Sequence, residues 1–328
     1  MSYITVENLV KNYKVLILKK GKFKSIKSIF HREYKIKEAV KGISFNIERG
    51  EMVGYIGPNG AGKSTTIKMM SGVLVPSSGK IDVGGIIPYK ERKKNARKIG
   101  VVFGQRSQLY WDLPISDTFE LYRVLYGVPK QIFKKNVEKY IEIFQMSDFI
   151  NQPVRQLSLG QKMKANIAIS LLHDPEILYL DEPTIGLDVM SKKVIRECLI
   201  KINKEKNTNI ILTTHDMDDI EAVCNRIIII DKGEKIYDGD IKKFKAEYSN
   251  DYVIRMEFDK LVNWSNNDDF KLVSQDNLIW TVKVRKNIGK KEAFIKLINM
   301  YNPQNIYIIE NDLENIIQSV FESKKVYI

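Results

Sequence analysis

Cysteine is nearly absent. The 328 residues hold two, Cys198 and Cys224, both inside apolar patterns, which leaves no disulfide framework and no zinc ligand set and fits a reducing, cytosolic location. Long apolar runs are missing as well. The strongest, Ile227 to Ile230, falls far short of the ~20 residues that a transmembrane helix needs, so the chain is not expected to span a membrane itself. The opening MSYITVENLV has no basic segment followed by an apolar stretch and a small-residue cleavage site, so no secretory signal is visible. Internal repeats and low-complexity tracts are not evident. What is present is a globular composition, 44% hydrophobic and 28% charged, at a length that fits two domains of roughly 100–200 residues.

Negative charge is also in deficit: 53 Lys+Arg stand against 40 Asp+Glu, a net +13. Eleven of those cations and only two acids, Glu33 and Glu38, lie between Lys11 and Lys41. The rest of the chain is therefore close to balanced. A basic patch of this kind suits nucleic acid, acidic lipid head groups or an acidic partner, and composition alone does not choose; a solvated surface insertion fits it equally. Within it Phe23, Ile26, Ile29 and Phe30 recur at helical spacing among Lys22, Lys24, Lys27 and Arg32, the pattern of a short amphipathic segment able to lie against a membrane surface or a partner.

Strand-like runs rich in β-branched residues occur at Ile4 to Val10, Ala39 to Ile47, Met52 to Ile56, Ile99 to Phe103, Ile177 to Leu180, Ile210 to Thr213 and Ile227 to Ile230. Runs apolar on both faces and separated by helices predict a parallel sheet covered on both sides, hence an α/β domain. Helical stretches at Asp117 to Tyr126 and Lys130 to Phe144, with a longer one after Ser158, predict a helical subdomain inserted between sheet strands. After Asp240 the period changes. Tyr252, Ile254, Met256 and Phe258 alternate, as do Trp280, Val282 and Val284, with a polar turn, Asn263 to Asp269, between them. A helix carrying Phe294, Leu297, Ile298 and Tyr301 follows, then a strand at Ile306 to Ile309 and a helix with Leu313, Ile316, Ile317, Val320 and Phe321 on one face. This β-β-α-β-α order predicts a small α+β domain over 241–328.

The chemistry concentrates in two places. Met52 to Ile56 leads into Gly57, Pro58, Asn59, Gly60, Ala61, Gly62, Lys63, Ser64 and Thr65, a match to G-x-x-x-x-G-K-[ST] directly after a strand and before an apolar-periodic helix, the context that the phosphate-binding loop requires. Glycines let the backbone wrap closely so that N–H groups and a helix N-terminus point at phosphate oxygens. Lys63 supplies a point charge to the β/γ-phosphates, and the Ser64 hydroxyl is the expected Mg²⁺ ligand. Further on, Ile177 to Leu180 ends in Asp181 and Glu182. Carboxylates at such a strand end lie beside the phosphate loop: Asp181 suits Mg²⁺ coordination, and Glu182 can accept a proton from, or orient, an attacking water.

With those sites stands Leu157-Ser158-Leu159-Gly160-Gln161, which resembles the LSGGQ signature of the nucleotide-binding domain of ATP-binding-cassette (ABC) transporters. It opens a helix 23 residues before Asp181. The order Gln105 after the strand at Val101 to Phe103, then the signature, Asp181-Glu182, Gly186-Leu187-Asp188, and His215 after Ile211 to Thr214 resembles the same family over about residues 1–240. With Gln108 to Asp112 and Asp216 to Asp219, it looks closest to the sodium- and drug-exporter-like branch that pairs with a separate permease. The resemblance implies a P-loop NTPase cassette with a mainly parallel sheet, an antiparallel β subdomain and an inserted helical subdomain at about 106–172, interrupted by the basic insertion at about 14–38 and followed by the accessory α+β domain.

It also implies a mechanism. Two cassettes, expected as a homodimer, would sandwich two ATP molecules, with Ser158, Gly160 and Gln161 of one copy facing the phosphate loop of the other. Gln105 would sit near Mg²⁺ and the attacking water. His215 would contact the γ-phosphate and support Glu182, and Asp188 would communicate across the dimer. Adenine would stack on an aromatic after the first strand; Tyr13 is favoured, with Tyr34 as the alternative because it lies five residues before Ala39. Leu159 departs from the signature's usual glycine but leaves Ser158 and Gly160. The expected function is an ATPase subunit that binds and hydrolyses ATP to drive a separate membrane permease, for export, from the inner face of the cell membrane. The alternative is a soluble ABC-type ATPase acting on ribosomes or nucleic acid. Against it stand one cassette rather than two and the 95 residues from Lys63 to Ser158 without a heptad run.

Overall fold

Five runs that are buried on both faces assemble the main sheet of residues 1–240. In the computed structural model, which describes residues 2–16, 34–104, 107–248, 251–265, 269–285, 288–309 and 312–325, β3 (Met52–Ile56), β5 (Ile99–Phe103), β6 (Ile177–Asp181), β7 (Asn209–Thr213) and β8 (Arg226–Asp231) lie parallel. With β9 (Glu234–Asp240) antiparallel at the edge, they form one six-stranded sheet in the order β5-β6-β7-β3-β8-β9. Ile177, Leu178, Tyr179 and Leu180 are all buried, as are Ile227 to Ile230. Side chains packed on both faces are what a sheet covered by helices requires. The strand order places the C-terminal ends of β6, β7 and β3 side by side.

The first two strand runs behave differently. β1 (Ser2–Leu16) and β2 (Tyr34–Glu48) pair antiparallel with each other, and β4 (Ser78–Val83) joins them in a separate sheet, β2-β1-β4. Only alternate residues of β1, such as Ile4, Val6 and Leu9, are buried, the signature of a half-solvated antiparallel strand. These runs form the antiparallel β subdomain that the family resemblance implies, apart from the parallel sheet. β4 and β9 were not predicted; sequences as polar as SGKIDV and EKIYDGD carry too little apolar alternation. The ends of the basic insertion are strand as well: Tyr13 faces Lys37, Lys14 faces Ile36 and Leu16 faces Tyr34 across β1 and β2. The amphipathic pattern at Phe23 to Arg32 lies outside the described residues.

Helix α1 (Lys63–Met70) follows β3, and α2 (Arg92–Lys98) precedes β5. Between β5 and β6 stand α3 (Ile115–Tyr126), α4 (Lys130–Ile143), a 3₁₀ turn (Val154–Gln156) and α5 (Leu159–Leu171). Helices α6 (Val189–Lys206) and α7 (Met217–Val223) then alternate with β7 and β8. His173 is a packing residue: it stacks on Tyr126 at 3.9 Å between ring centroids, and burial pulls its imidazole down to about 4.

The chain divides into two compact units, Met1–Asp240 and Ile241–Ile328. In the second, α8 (Ile241–Tyr248) leads into an antiparallel sheet of order β11-β12-β10-β13, built from β10 (Asp251–Glu257), β11 (Phe270–Asp276), β12 (Ile279–Arg285) and β13 (Asn305–Ile309), with α9 (Lys290–Tyr301) and α10 (Leu313–Lys325). Its core joins Ile254, Met256, Trp280, Val282, Leu297 and Tyr301, and Trp264 stacks on Tyr301. Strand β11 and helix α8 correct the expected β-β-α-β-α order. β11 is an edge strand in which only Phe270 is buried, so it lacks the alternation that marks β10 and β12. No helix among the described residues is long and apolar enough to cross a membrane.

Candidate active site

A left-handed turn closes the phosphate loop. Gly62 adopts φ +110°, and a Cβ there would lie 2.6 Å from the Ala39 carbonyl oxygen, so only glycine fits. α1 starts at the next residue and directs the amides of its first turn toward the loop. The Ala61 N–H donates to Pro58 O at 3.1 Å inside the loop. Lys63 Nζ donates to Gly57 O at 2.6 Å and Pro58 O at 3.3 Å. Burial pushes this ammonium below its ordinary pKa, against the opposing pull of Glu182 and Asp181.

Three strand ends bring the acids to the loop. Asp181 Oδ1 accepts hydrogen bonds from Ser64 Oγ at 3.2 Å and Thr213 Oγ1 at 2.6 Å. The Glu182 N–H donates to Thr213 O at 2.9 Å, and His215 Nδ1 lies 2.8 Å from Glu182 Oε2. Glu182 itself has φ +56°, a conformation that costs an L-residue roughly 1–3 kcal/mol and clusters at functional sites. A cleft of about 950 Å³ opens over these groups, lined among others by Asn59, Gly60, Lys63, Ser64, Thr65, Asp181 and Glu182. From β1, Tyr13 lines it too, with Lys14, Lys37 and Val73 beside it. Tyr34 is half-exposed opposite Leu16 and does not line the cleft.

The signature residues stand apart from that cleft. Ser158 caps α5: Gln161 N–H donates to Ser158 Oγ at 3.2 Å and Ser158 N–H to Gln161 Oε1 at 2.8 Å, a reciprocal capping box. Gly160 is buried against the next helix, where a Cβ would lie 2.4 Å from Ser191 Oγ. Ser191 in turn donates from its hydroxyl to Asp188 Oδ2 at 2.7 Å, and those bonds hold the Asp188 carboxyl below its ordinary range. Leu159 is half-exposed, and a Cβ on Gly186 would sit 3.2 Å from its Cδ2. Gln105 lies outside the described residues.

The sequence pattern of the ABC transporter family matches residues 40–185. Among relatives, ABC transporter ATP-binding protein NatA of Bacillus subtilis is 36% identical over 68% of this chain and 90% of its own length. Linearmycin resistance ATP-binding protein LnrL of the same species is 38% identical over 69% and 72%. A solved ATP-binding cassette, a dimer in a post-hydrolysis state bound to ADP and Pi, superposes with a TM-score of 0.61 at 26% identity, covering 73% of this chain and 98% of that one. The chain belongs to the ABC transporter ATP-binding family. It is an ABC-type transport ATPase, and its nucleotide is ATP.

In this cassette the donors beside the phosphate loop are the Ser64 hydroxyl and the Asp181 and Glu182 carboxylates, all hard oxygens lining one cleft. No cluster of three or more His, Cys, Asp or Glu suited to a resident metal occurs among the described residues. That set fits Mg²⁺, which is usually held by one or two side chains together with substrate phosphates. Thr213, which holds Asp181, was not singled out from the sequence; its signal is a hydroxyl at the end of an otherwise apolar strand. Lys14 and Lys37 were likewise not assigned to the cleft, because the reach of β1 and β2 into the basic stretch is a matter of pairing, not of composition.

Proposed function

We propose that this chain is the ATPase subunit of a transporter whose permease is a separate protein, that it works for export, and that two copies complete each other's nucleotide sites. The observation that carries this reading is the separation within one chain of two finished half-sites: the phosphate loop with its carboxylates in one cleft, and the capped signature helix outside it. Among the described residues, Ser158, Gly160 and Gln161 do not line the cleft of the phosphate loop, so a second copy is what would bring them one. The resistance named for LnrL agrees with export.

In this reading Tyr13 stacks on adenine, and Gly57, Pro58, Asn59, Gly60, Ala61, Gly62, Lys63 and Thr65 hold the phosphates. Ser64, Asp181 and Gln105 hold Mg²⁺. The ion, when bound, neutralises charge on the β- and γ-phosphate oxygens. Glu182 accepts the proton of the attacking water, and His215, 2.8 Å away, orients that carboxylate. Asp188, fixed through Ser191, sits at the partner-facing edge. The cations between Lys11 and Lys41 add attraction to anionic head groups and seat the subunit peripherally on the inner face of the membrane; neutralising Lys22, Lys24, Lys27 and Arg32 then lowers binding to anionic vesicles, and unchanged binding removes that role.

The direct test is Glu182→Gln. Loss of hydrolysis by about a hundredfold or more, with ATP affinity retained, supports the assignment. Near-normal turnover removes Glu182 as the base.

A further inference from the structure

Behind the Glu182–His215 pair lies a partly buried polar cluster that neither phosphate binding nor the signature accounts for. Thr184 and Asp219 are 3% and 1% exposed. Thr184 Oγ1 donates to Asp219 Oδ2, and Arg196 Nε donates to Asp219 Oδ1 at 2.5 Å. Arg196 also reaches Asp216 Oδ1 at 3.8 Å, while Lys192 pairs with Asp216 Oδ2. Asp216 caps α7, accepting from Asp218 N at 3.1 Å and Asp219 N at 3.4 Å, and its own N–H donates to Thr214 Oγ1 at 3.0 Å. Burial works against ionisation of Asp216, but the Lys192 and Arg196 cations and the helix amides outweigh it, and its carboxyl stays below the ordinary range.

The connectivity is a closed loop. Thr184 is two residues beyond Glu182, and Asp216 directly follows His215. The turn carrying the base and the loop carrying the histidine are thus joined twice, by the His215–Glu182 bond in front and the Thr184–Asp219 bond behind. Arg196 and Lys192 belong to α6, the helix that Asp188 caps and Gly160 packs against. The back of the loop is therefore anchored on the element that faces the proposed partner. An ion pair to a buried carboxylate such as Asp219 is weak evidence for stability, because apolar residues of the same volume serve as well or better. The left-handed backbone at Glu182 needs something to hold it, and the cluster closes directly on that turn.

We infer that Thr184, Asp219 and Arg196 are positioning residues for ATP hydrolysis, holding the Glu182 turn and the His215 loop in register and tying both to α6. The inference rests on the reading of Glu182 and His215 as the hydrolytic pair. Removing the hydroxyl that closes the loop should let Glu182 relax without touching the phosphate loop, and misplacement of a reacting group by about 1 Å costs up to roughly a hundredfold in rate.

The experiment measures ATP turnover by the full-length chain with Mg²⁺, together with ATP affinity and Tm, for Thr184→Val, Thr184→Ser and Asp219→Asn. Expected are a kcat about tenfold lower in Thr184→Val with KM and ATP affinity within about twofold, and near-normal turnover restored by Thr184→Ser. Asp219→Asn, which keeps the shape and loses the charge, should show the same split of kcat from KM, and it decides the matter if Thr184→Val does not fold. Unchanged kcat in both variants overturns the inference, as does a parallel fall of kcat, ATP affinity and Tm that Thr184→Ser does not reverse. Glu182→Gln, measured beside them, separates the two failures. If it still turns over, the hydrolytic reading falls; if it is inactive while Thr184→Val is normal, only the positioning role falls.

Discussion

At the ends of β3, β6 and β7 the polar groups are tied to one another across the chain: Ser64 and Thr213 share Asp181, and His215 meets Glu182. At the start of α5 the bonds are local. Ser158 and Gln161 satisfy each other three residues apart, and Gly160 leans on Ser191 of the neighbouring helix. The first region gathers distant residues around a cleft, whereas the second prepares an exposed helix N-terminus outside that cleft. The difference teaches that local completeness and functional completeness are separate properties. A capped helix start is stable by itself, yet it can act on a phosphate only when another surface delivers one.

Substitutions can separate the halves. Lys63→Ala should have the largest effect, removing the charge that the loop carbonyls hold in place; turnover should fall by roughly a hundredfold or more and ATP affinity with it, read by hydrolysis and calorimetry. Gly160→Ala should act only on the other half. Its Cβ would displace Ser191 Oγ from 2.4 Å, so ATP binding to the isolated chain should stay normal while turnover drops about tenfold; a loss of ATP affinity in the isolated chain would show that the halves are not independent. Tyr13→Ala is expected to be milder, raising KM for ATP about tenfold, in line with ~1–3 kcal/mol for base–aromatic stacking, while Tyr34→Ala leaves it unchanged. The opposite ranking would move the adenine to Tyr34.

Much of this architecture was legible because the informative residues are close together in sequence. Met52 to Ile56 followed by the glycine turn, and Ile177 to Leu180 followed by two acids, each declare a buried strand and what stands at its end. The spacing of Ser158 and Gln161 is that of a capping box. What remained hidden depends on distant pairing. Thr184 and Asp219 lie 35 positions apart, and neither is distinctive where it stands. β4, β9 and β11 are polar edge strands whose partners, not their composition, make them strands. Sequence position favours Tyr13 but leaves Tyr34 open, and it is Tyr13 that lines the cleft, while Tyr34 pairs opposite Leu16.

The central claim, that two copies of this chain complete each other's sites, is tested most directly by the mass in solution of the Glu182→Gln protein, measured by light scattering with and without ATP and Mg²⁺. The account predicts a monomer without nucleotide and a dimer with it. A protein that binds ATP and stays monomeric at concentrations well above its ATP dissociation constant would contradict a homodimer of this chain alone.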